Sequence, residues 1–324
     1  MAGLAADAVL FNRQDDQDDD ESDLQPEEEE TQDHGDLLSD IVIEKDVPQS
    51  DDIPDPVDQP VTLQGGGGAD KLSGLGGDDD IYGKGGSDLI DGRAGDDWID
   101  ADEGNDGVWA GDGEDTVWGD EGNDSLIGQA GNDELHGGTG NDSLAGCEGD
   151  DTLIGDAGND ALLGGEGDDW LDGLDDDDWL TGGSGNDSLT GGQGPDILDG
   201  GAGNDALYGF ESEGFEQETD FLNGGTGDDR LFLGAGDYAT GGDGADEFIL
   251  QDWQTETGVS QIADYDPAED QLVIVYDPSI HTDPVLTIGP EDGSQGQAIY
   301  LDGVKVAVVS GAPVDLADIR LVTG

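Results

Sequence analysis

Residues 128–136 read GQAGNDELH and residues 137–145 read GGTGNDSLA. Laid over one another, they share Gly at positions one and four, Asp at six and an aliphatic residue at eight. Working outward from Asp133, the Asp recurs every nine residues at Asp124, Asp115, Asp106, Asp97, Asp88, Asp79 and Asp70. In the other direction it recurs at Asp142, Asp151, Asp160, Asp169, Asp178, Asp187, Asp196 and Asp205, giving 16 Asp in phase. Two residues after each comes Leu72, Ile81, Ile90, Ile99, Val108 or Val117, then Leu at every step from Leu126 to Leu207. Gly stands two residues before the Asp in 15 of the 16 units, Asp176 being the exception. The unit is GGxGxDxUx, with U aliphatic.

Nine residues are too few for a helical hairpin, and glycine at this density opposes helix. The xUx triplet reads as a minimal strand whose middle side chain points inward and whose flanking ones point outward. The GGxGxD hexapeptide reads as a turn, its glycines permitting positive φ and close backbone approach. Two units then form one coil of about 18 residues, and coils stacked at roughly 4.8 Å give two parallel sheets around a single-file aliphatic core. In such a stack, Asp70, Asp88, Asp106, Asp124, Asp142, Asp160, Asp178 and Asp196 line one edge. Asp79, Asp97, Asp115, Asp133, Asp151, Asp169, Asp187 and Asp205 line the other.

Charge decides what those edges need. The chain of 324 residues holds 83 Asp plus Glu against 8 Lys plus Arg, a formal net charge of −75. Between Arg93 and Arg230 there are 39 acidic residues and no Lys or Arg. Such a segment repels itself out of compact states unless cations come from outside. Carboxylates and turn carbonyls make an all-oxygen cage, which suits Ca²⁺ with its six to eight oxygen ligands better than Mg²⁺, which demands a tight octahedron. Zinc is disfavoured because Cys147, His34, His136 and His281 are scattered. Asp also forms turns for local reasons, but Asn or Ser would do so without repulsion. The same charge excludes nucleic acid as a partner and anionic membrane surfaces. No stretch approaches the roughly 20 apolar residues of a membrane span.

The phase breaks after Asp205. The segment GFESEGFEQET at 209–219 inserts six residues before Asp220, and Asp229 follows nine later. A further unit closes on Asp246 and Phe248 after a step of 17. Residues 1–62 carry a strongly acidic stretch from Asp15 to Asp33, followed by scattered prolines, and are expected to be disordered. The start MAGLAADAVLF lacks the cationic and apolar segments of a cleavable secretion signal. Residues 251–324 hold alternating apolar runs with the hairpin signal Asp302-Gly303, and are expected to form a small, mostly antiparallel β-module capping the repeats. The expected organisation is therefore 1–62 disordered, 65–208 repeats, 209–219 insert, 220–250 degenerate repeats and 251–324 cap.

The repeats resemble the hemolysin-type, or RTX, calcium-binding nonapeptide, whose GGxGxDxUx signature in a parallel β-helix is itself a known calcium motif. The resemblance spans roughly 65–250. It implies an all-β chain with a parallel, right-handed β-roll, in which Asp70 through Asp205, with Asp220, Asp229 and Asp246, hold Ca²⁺ between turns. Seven gaps per edge give about 14 Ca²⁺ in the main block. Residues 262–277, IADYDPAEDQLVIVYD, look like the terminal module of type I secretion substrates. That implies export through an ABC transporter reading an uncleaved C-terminal signal, with which the tail DLADIRLVTG is compatible, and an extracellular location. Ca²⁺ at a hundredfold excess over its dissociation constant contributes about 2.7 kcal/mol per site, so calcium would trigger folding after export.

No nucleophile elbow, zinc-protease helix or Cys/His pair appears, so no enzyme is expected. Two other roles stay open: a calcium-dependent structural or adhesive protein of a cell surface or matrix, and the non-catalytic part of a secreted hydrolase. Outward positions hold Trp98, Trp109, Trp118, Trp170 and Trp179, with Trp98 and Trp118 expected as neighbours on one face. These rings would offer contacts for self-association or carbohydrate. Asp176 replaces a turn glycine within the run of four Asp at 175–178, so the coil around Asp178 is expected to be the weakest. Ala101 and Ala110 replace the leading glycine of two units.

Overall fold

The computed structural model describes residues 59–209, 219–251, 258–291 and 296–324. The expected disorder of 1–62 falls almost wholly outside these residues, as does nearly all of the 209–219 insert. The described residues form 27 strands in a 13-stranded and a 14-stranded sheet, with one 3-10 turn, Leu316–Asp318. The chain alternates between the sheets, each strand of the roll pairing in parallel with the strand two steps on. Leu135 thus stands beside Leu153, and Leu153 beside Leu171, each one full coil further along the chain. The expected parallel β-roll is the observed fold.

The strands are longer than the xUx triplet. Glu134–Thr139 and Ser143–Glu148 have six residues each, so pairing continues through the first half of the glycine hexapeptide. The glycines allow it: Gly138 at φ 103° kinks the strand, and Gly140 at φ 131° closes the turn. At Gly140 a Cβ would run into the carbonyl oxygen of Gly122 on the preceding rung, so only glycine fits that approach. Ala101 and Ala110 disturb little. Both are buried, and the Ala101 N–H keeps its rung-to-rung bond to the Trp118 carbonyl at 2.9 Å.

The core is the expected single file, from Ile81 through Leu135, Leu153 and Leu207 to Phe248, all fully enclosed. Leu198 pairs with Leu222 across the insert, which therefore leaves the rungs in register. One coil is shorter than the rest. Tyr238–Asp243 pairs with Phe221–Thr226 at a spacing of 17, which makes the unit around Asp237 eight residues long.

The cap departs from a mostly antiparallel module. Ser260–Tyr265 and Gln271–Tyr276 stack in parallel on the last repeats, and Val304–Gly311 and Ile319–Thr323 stack in parallel on those. Only Leu286–Pro290, Gln297–Leu301 and Val304–Gly311 make antiparallel pairs among the described strands. The turn between the last two has positive φ at both Asp302 (51°) and Gly303 (86°), the geometry that Asp-Gly hairpins favour. The apolar runs favour parallel stacking because the last coil of the roll leaves a buried, aliphatic end that further rungs cover.

Candidate metal sites

The turns place the repeat Asp in two columns, as the spacing requires. In one, the Asp133 N–H donates to Oδ1 of Asp151 at 2.9 Å, and the Asp151 N–H to Oδ1 of Asp169 at 2.8 Å. In the other, Asp142 donates to Asp160 and Asp160 to Asp178, each at 2.8 Å. The first column runs on through Asp205, Asp229 and Asp246, and the second through Asp196 and Asp220. Asp70 and Asp79 sit at the outer ends, where Oδ2 already accepts the N–H of Gly66 (2.6 Å) and Leu75 (2.7 Å).

Along the body of both columns the second carboxylate oxygen is left over. Oδ2 of Asp88, Asp97, Asp106, Asp115, Asp124, Asp133, Asp142, Asp151, Asp160, Asp169, Asp178, Asp187, Asp205 and Asp229 is buried without a hydrogen-bond partner. Buried, unpaired oxygen is costly, and here the pattern repeats from rung to rung. A carbonyl faces the same space: a Cβ placed on Gly137 would lie 2.6 Å from Asp142 Oδ2 and 2.8 Å from the Gly155 oxygen. The oxygens of adjacent rungs therefore converge where the glycine leaves room.

Burial raises the pKa of these carboxyls. It pushes Asp97, Asp115, Asp160 and Asp187 up to about 7, and neighbouring carboxylates add to the shift, against backbone N–H groups that lower it. Asp178 is pushed up to about 8, with Asp160, Asp196 and Asp176 among the charges around it. Asp106, Asp124, Asp133, Asp169, Asp229 and Asp246 reach about 6 for the same first reason. Without a cation, the columns resist ionisation.

The donor set fits a hard cation. Among the described residues no group of three or more His, Cys, Asp or Glu side chains converges on a point, so side chains alone build no site. Stacked carboxylates with turn carbonyls give an all-oxygen donor set of the kind that suits calcium. Softer ligands are engaged elsewhere: His136 with Glu134 (3.0 Å) and His281 with Asp302 (2.6 Å), while His34 lies outside the described residues. Cys147 is half-buried, and burial pushes its thiol pKa up.

Two carboxylates escaped the sequence reading. Asp237 continues the second column, accepting the Asp220 N–H at 3.2 Å, and Asp270 continues the first, accepting the Asp246 N–H at 3.1 Å. Both have their other oxygen occupied, by the Gly234 and Asp266 N–H groups respectively. The signal for Asp237 was the pair Asp237-x-Ala239 in a unit one residue short.

The outward aromatic residues fall on both sheets. Trp98 and Trp118 are on adjacent strands of one face but in different outward rows, since Trp98 pairs with Thr116 and Trp118 with Asp100. They are not ring neighbours: Trp118 stacks on His136 at 3.8 Å, and Trp98 leans on Tyr82 at 5.2 Å.

The model of the RTX calcium-binding nonapeptide repeat family matches residues 62–90, 74–108, 82–117, 109–144, 146–180, 181–209 and 217–247. Among solved structures, a subunit of the Azotobacter vinelandii mannuronan C5-epimerase, determined in solution, is similar. It is 24% identical with a TM-score of 0.27, over 45% of this chain and 79% of that one. No curated protein matches the chain. No helix among the described residues is long and apolar enough to cross a membrane.

Proposed function

Because the chain belongs to the RTX calcium-binding nonapeptide repeat family, we propose that it is a secreted, non-catalytic protein whose roll forms as Ca²⁺ enters between rungs. The ligands are the carboxylates of the repeat Asp from Asp88 to Asp205 with Asp220, Asp229 and Asp246, together with turn carbonyls; Asp70 and Asp79, at the outer ends, already have Oδ2 engaged by backbone N–H groups. The carrying observation is the run of buried Oδ2 atoms without a donor along the body of each column. Bound Ca²⁺ supplies positive charge to oxygens that the chain does not satisfy. The chain's own part is to stack those oxygens at a fixed spacing and to exclude water beneath them.

With little free Ca²⁺ inside a cell, repulsion among the carboxylates keeps the chain extended and able to pass an ABC-type export channel. Outside, mass action favours the folded form. About 14 ions in the main block follow from one ion per gap. Circular dichroism during Ca²⁺ titration, reversed by chelator and paired with calorimetric stoichiometry, tests this. Sheet signal should appear with Ca²⁺ and vanish with EDTA; full sheet content in EDTA at neutral pH overturns the proposal. A structural or adhesive role in a surface layer is the second reading, favoured by the large apolar side chains left exposed on the sheets, such as Trp179 at 60%.

A further inference from the structure

On the 14-stranded sheet the first and third positions of the strands are nearly free of charge, while Asp112, Glu148, Glu166 and Asp243 stand at the sixth position, beyond the glycine kink. From Leu89 to Thr240 these positions form two outward rows over nine rungs, and in these rows only Asp91 and Asp199 are acidic. Both are already engaged, Asp91 with Arg93 at 3.6 Å and Asp199 with the Asn223 amide at 2.8 Å. On a chain of net charge −75 this is a conspicuous gap. Leu89, Trp109, Leu163, Trp179, Ile197, Phe221 and Tyr238 are all exposed on it.

Side-chain size along the face is ordered. In the first row, Gly107, Ser125, Ser143 and Ala161 are small, and the next four rungs carry Trp179, Ile197, Phe221 and Tyr238. The second row is largely reversed: Trp109, Ile127, the small Ala145 and Leu163 come first, then Thr181, Asp199, Asn223 and Thr240. The small and polar half opens into a groove of about 330 Å³ beside the Ile197, Phe221 and Tyr238 ridge, over Asp199, Asn223 and Thr240 and on to Gln261 and Ser310 of the cap strands.

We infer that this face docks a second copy of the chain about a two-fold axis running along the strand at Ala161. Such an axis turns the rung order around and keeps each row over itself. Phe221 then falls over Gly107, Ile197 over Ser125 and Trp179 over Ser143 of the partner subunit. Trp109 of the partner subunit enters the groove over Asn223, its indole N–H within reach of the Asp199 carboxylate. Between the end rungs, each bulky position meets a small or polar one in both rows, and Leu163 meets its own counterpart. An isologous interface needs this kind of self-complementarity. Nine rungs span about 40 Å, and a face about 12 Å wide gives roughly 1,000 Å² in total for two copies, the size at which a specific interface begins. Burying the aromatic residues supplies the attraction.

The inference rests on the calcium reading in one respect: cations must lower the repulsion between two acidic copies. The test uses the full chain in saturating Ca²⁺. Light scattering after size exclusion should give a dimer, and Trp109→Ser and Phe221→Ser should each weaken it at least about tenfold. In a Cys147→Ser background, Leu163→Cys should oxidise to a covalent dimer, while Trp170→Cys on the opposite sheet should stay monomeric. A folded monomer at about 100 μM, a concentration at which a weak specific interface is populated, overturns the inference. So does equal cross-linking at the two positions. Circular dichroism of the same samples separates the two ideas: sheet content indifferent to Ca²⁺ counts against the calcium reading alone, and a folded monomer against the dimer alone.

Discussion

The backbone N–H of Asp133 donates to Oδ1 of Asp151 at 2.9 Å, and Oδ2 of Asp151 is buried with no donor. One carboxylate is thereby fixed by its neighbouring rung and half unsatisfied. Repeated along the body of both columns, this leaves a buried oxygen on each rung for which the chain supplies no donor.

Asp151→Asn replaces one of the proposed anionic ligands with a neutral amide. Calorimetry should then show a lower Ca²⁺ stoichiometry than the parent chain. Asp237→Asn should leave the stoichiometry unchanged, because both oxygens of Asp237 already accept N–H groups. It should still lower stability by about 1 kcal/mol through the weakened charge-assisted bonds. Equal stoichiometric loss at both positions would contradict the assignment.

In the metal-free chain, pH works against the usual direction for acidic proteins. The folded-state pKa of Asp97, Asp115, Asp160 and Asp187 is about 7 and that of Asp178 about 8, above the ordinary 3.8. The folded form therefore binds more protons than the unfolded one between about pH 4 and pH 8, and stability rises as pH falls through that window. In EDTA, sheet signal should grow from pH 8 to pH 5. With Ca²⁺ present, the midpoint concentration should rise over the same range, since protons compete for the ligands. A sheet signal in EDTA that falls on acidification would refute this.

Gly140→Ala puts a methyl group against the Gly122 carbonyl and asks alanine to adopt φ 131°. The expected loss exceeds about 2 kcal/mol. It should be read as a lower thermal midpoint in Ca²⁺, with amide exchange fastest in the rungs around residue 140.

Asp176 occupies a turn position at φ 79°, beside Asp178, whose carboxyl is pushed up to about 8. Asp176→Gly removes both the backbone strain and one charge. It should stabilise the chain by about 1 kcal/mol, and the coil around Asp178 should exchange faster than its neighbours in the parent but not in the variant. Uniform protection in the parent would remove the basis for this.

The roll was legible because its signature is local and periodic. A fixed spacing was enough to set both Asp columns and the inward file of Leu135, Leu153 and Leu171. Asp237 was hidden by an eight-residue unit that breaks the count while preserving the stack. Turn length could not be read either, since pairing runs on through Gly137 and Gly138 once the neighbouring rungs are in place. The cap was least legible. Ser260–Tyr265 pairs with Val304–Gly311 across three intervening strands, and alternation marks a strand without naming its partner. Ring contacts such as Trp118 on His136 depend on which outward row each residue occupies, and that required the register.

The antiparallel hairpin at the end of the 14-stranded sheet has a further effect. Its outer strand, Leu286–Pro290, doubles back on Gln297–Leu301 and offers no coil for another molecule's first rung to follow. A further rung in this sheet would therefore have to add to the open edge of a hairpin strand and not to the end of a coil.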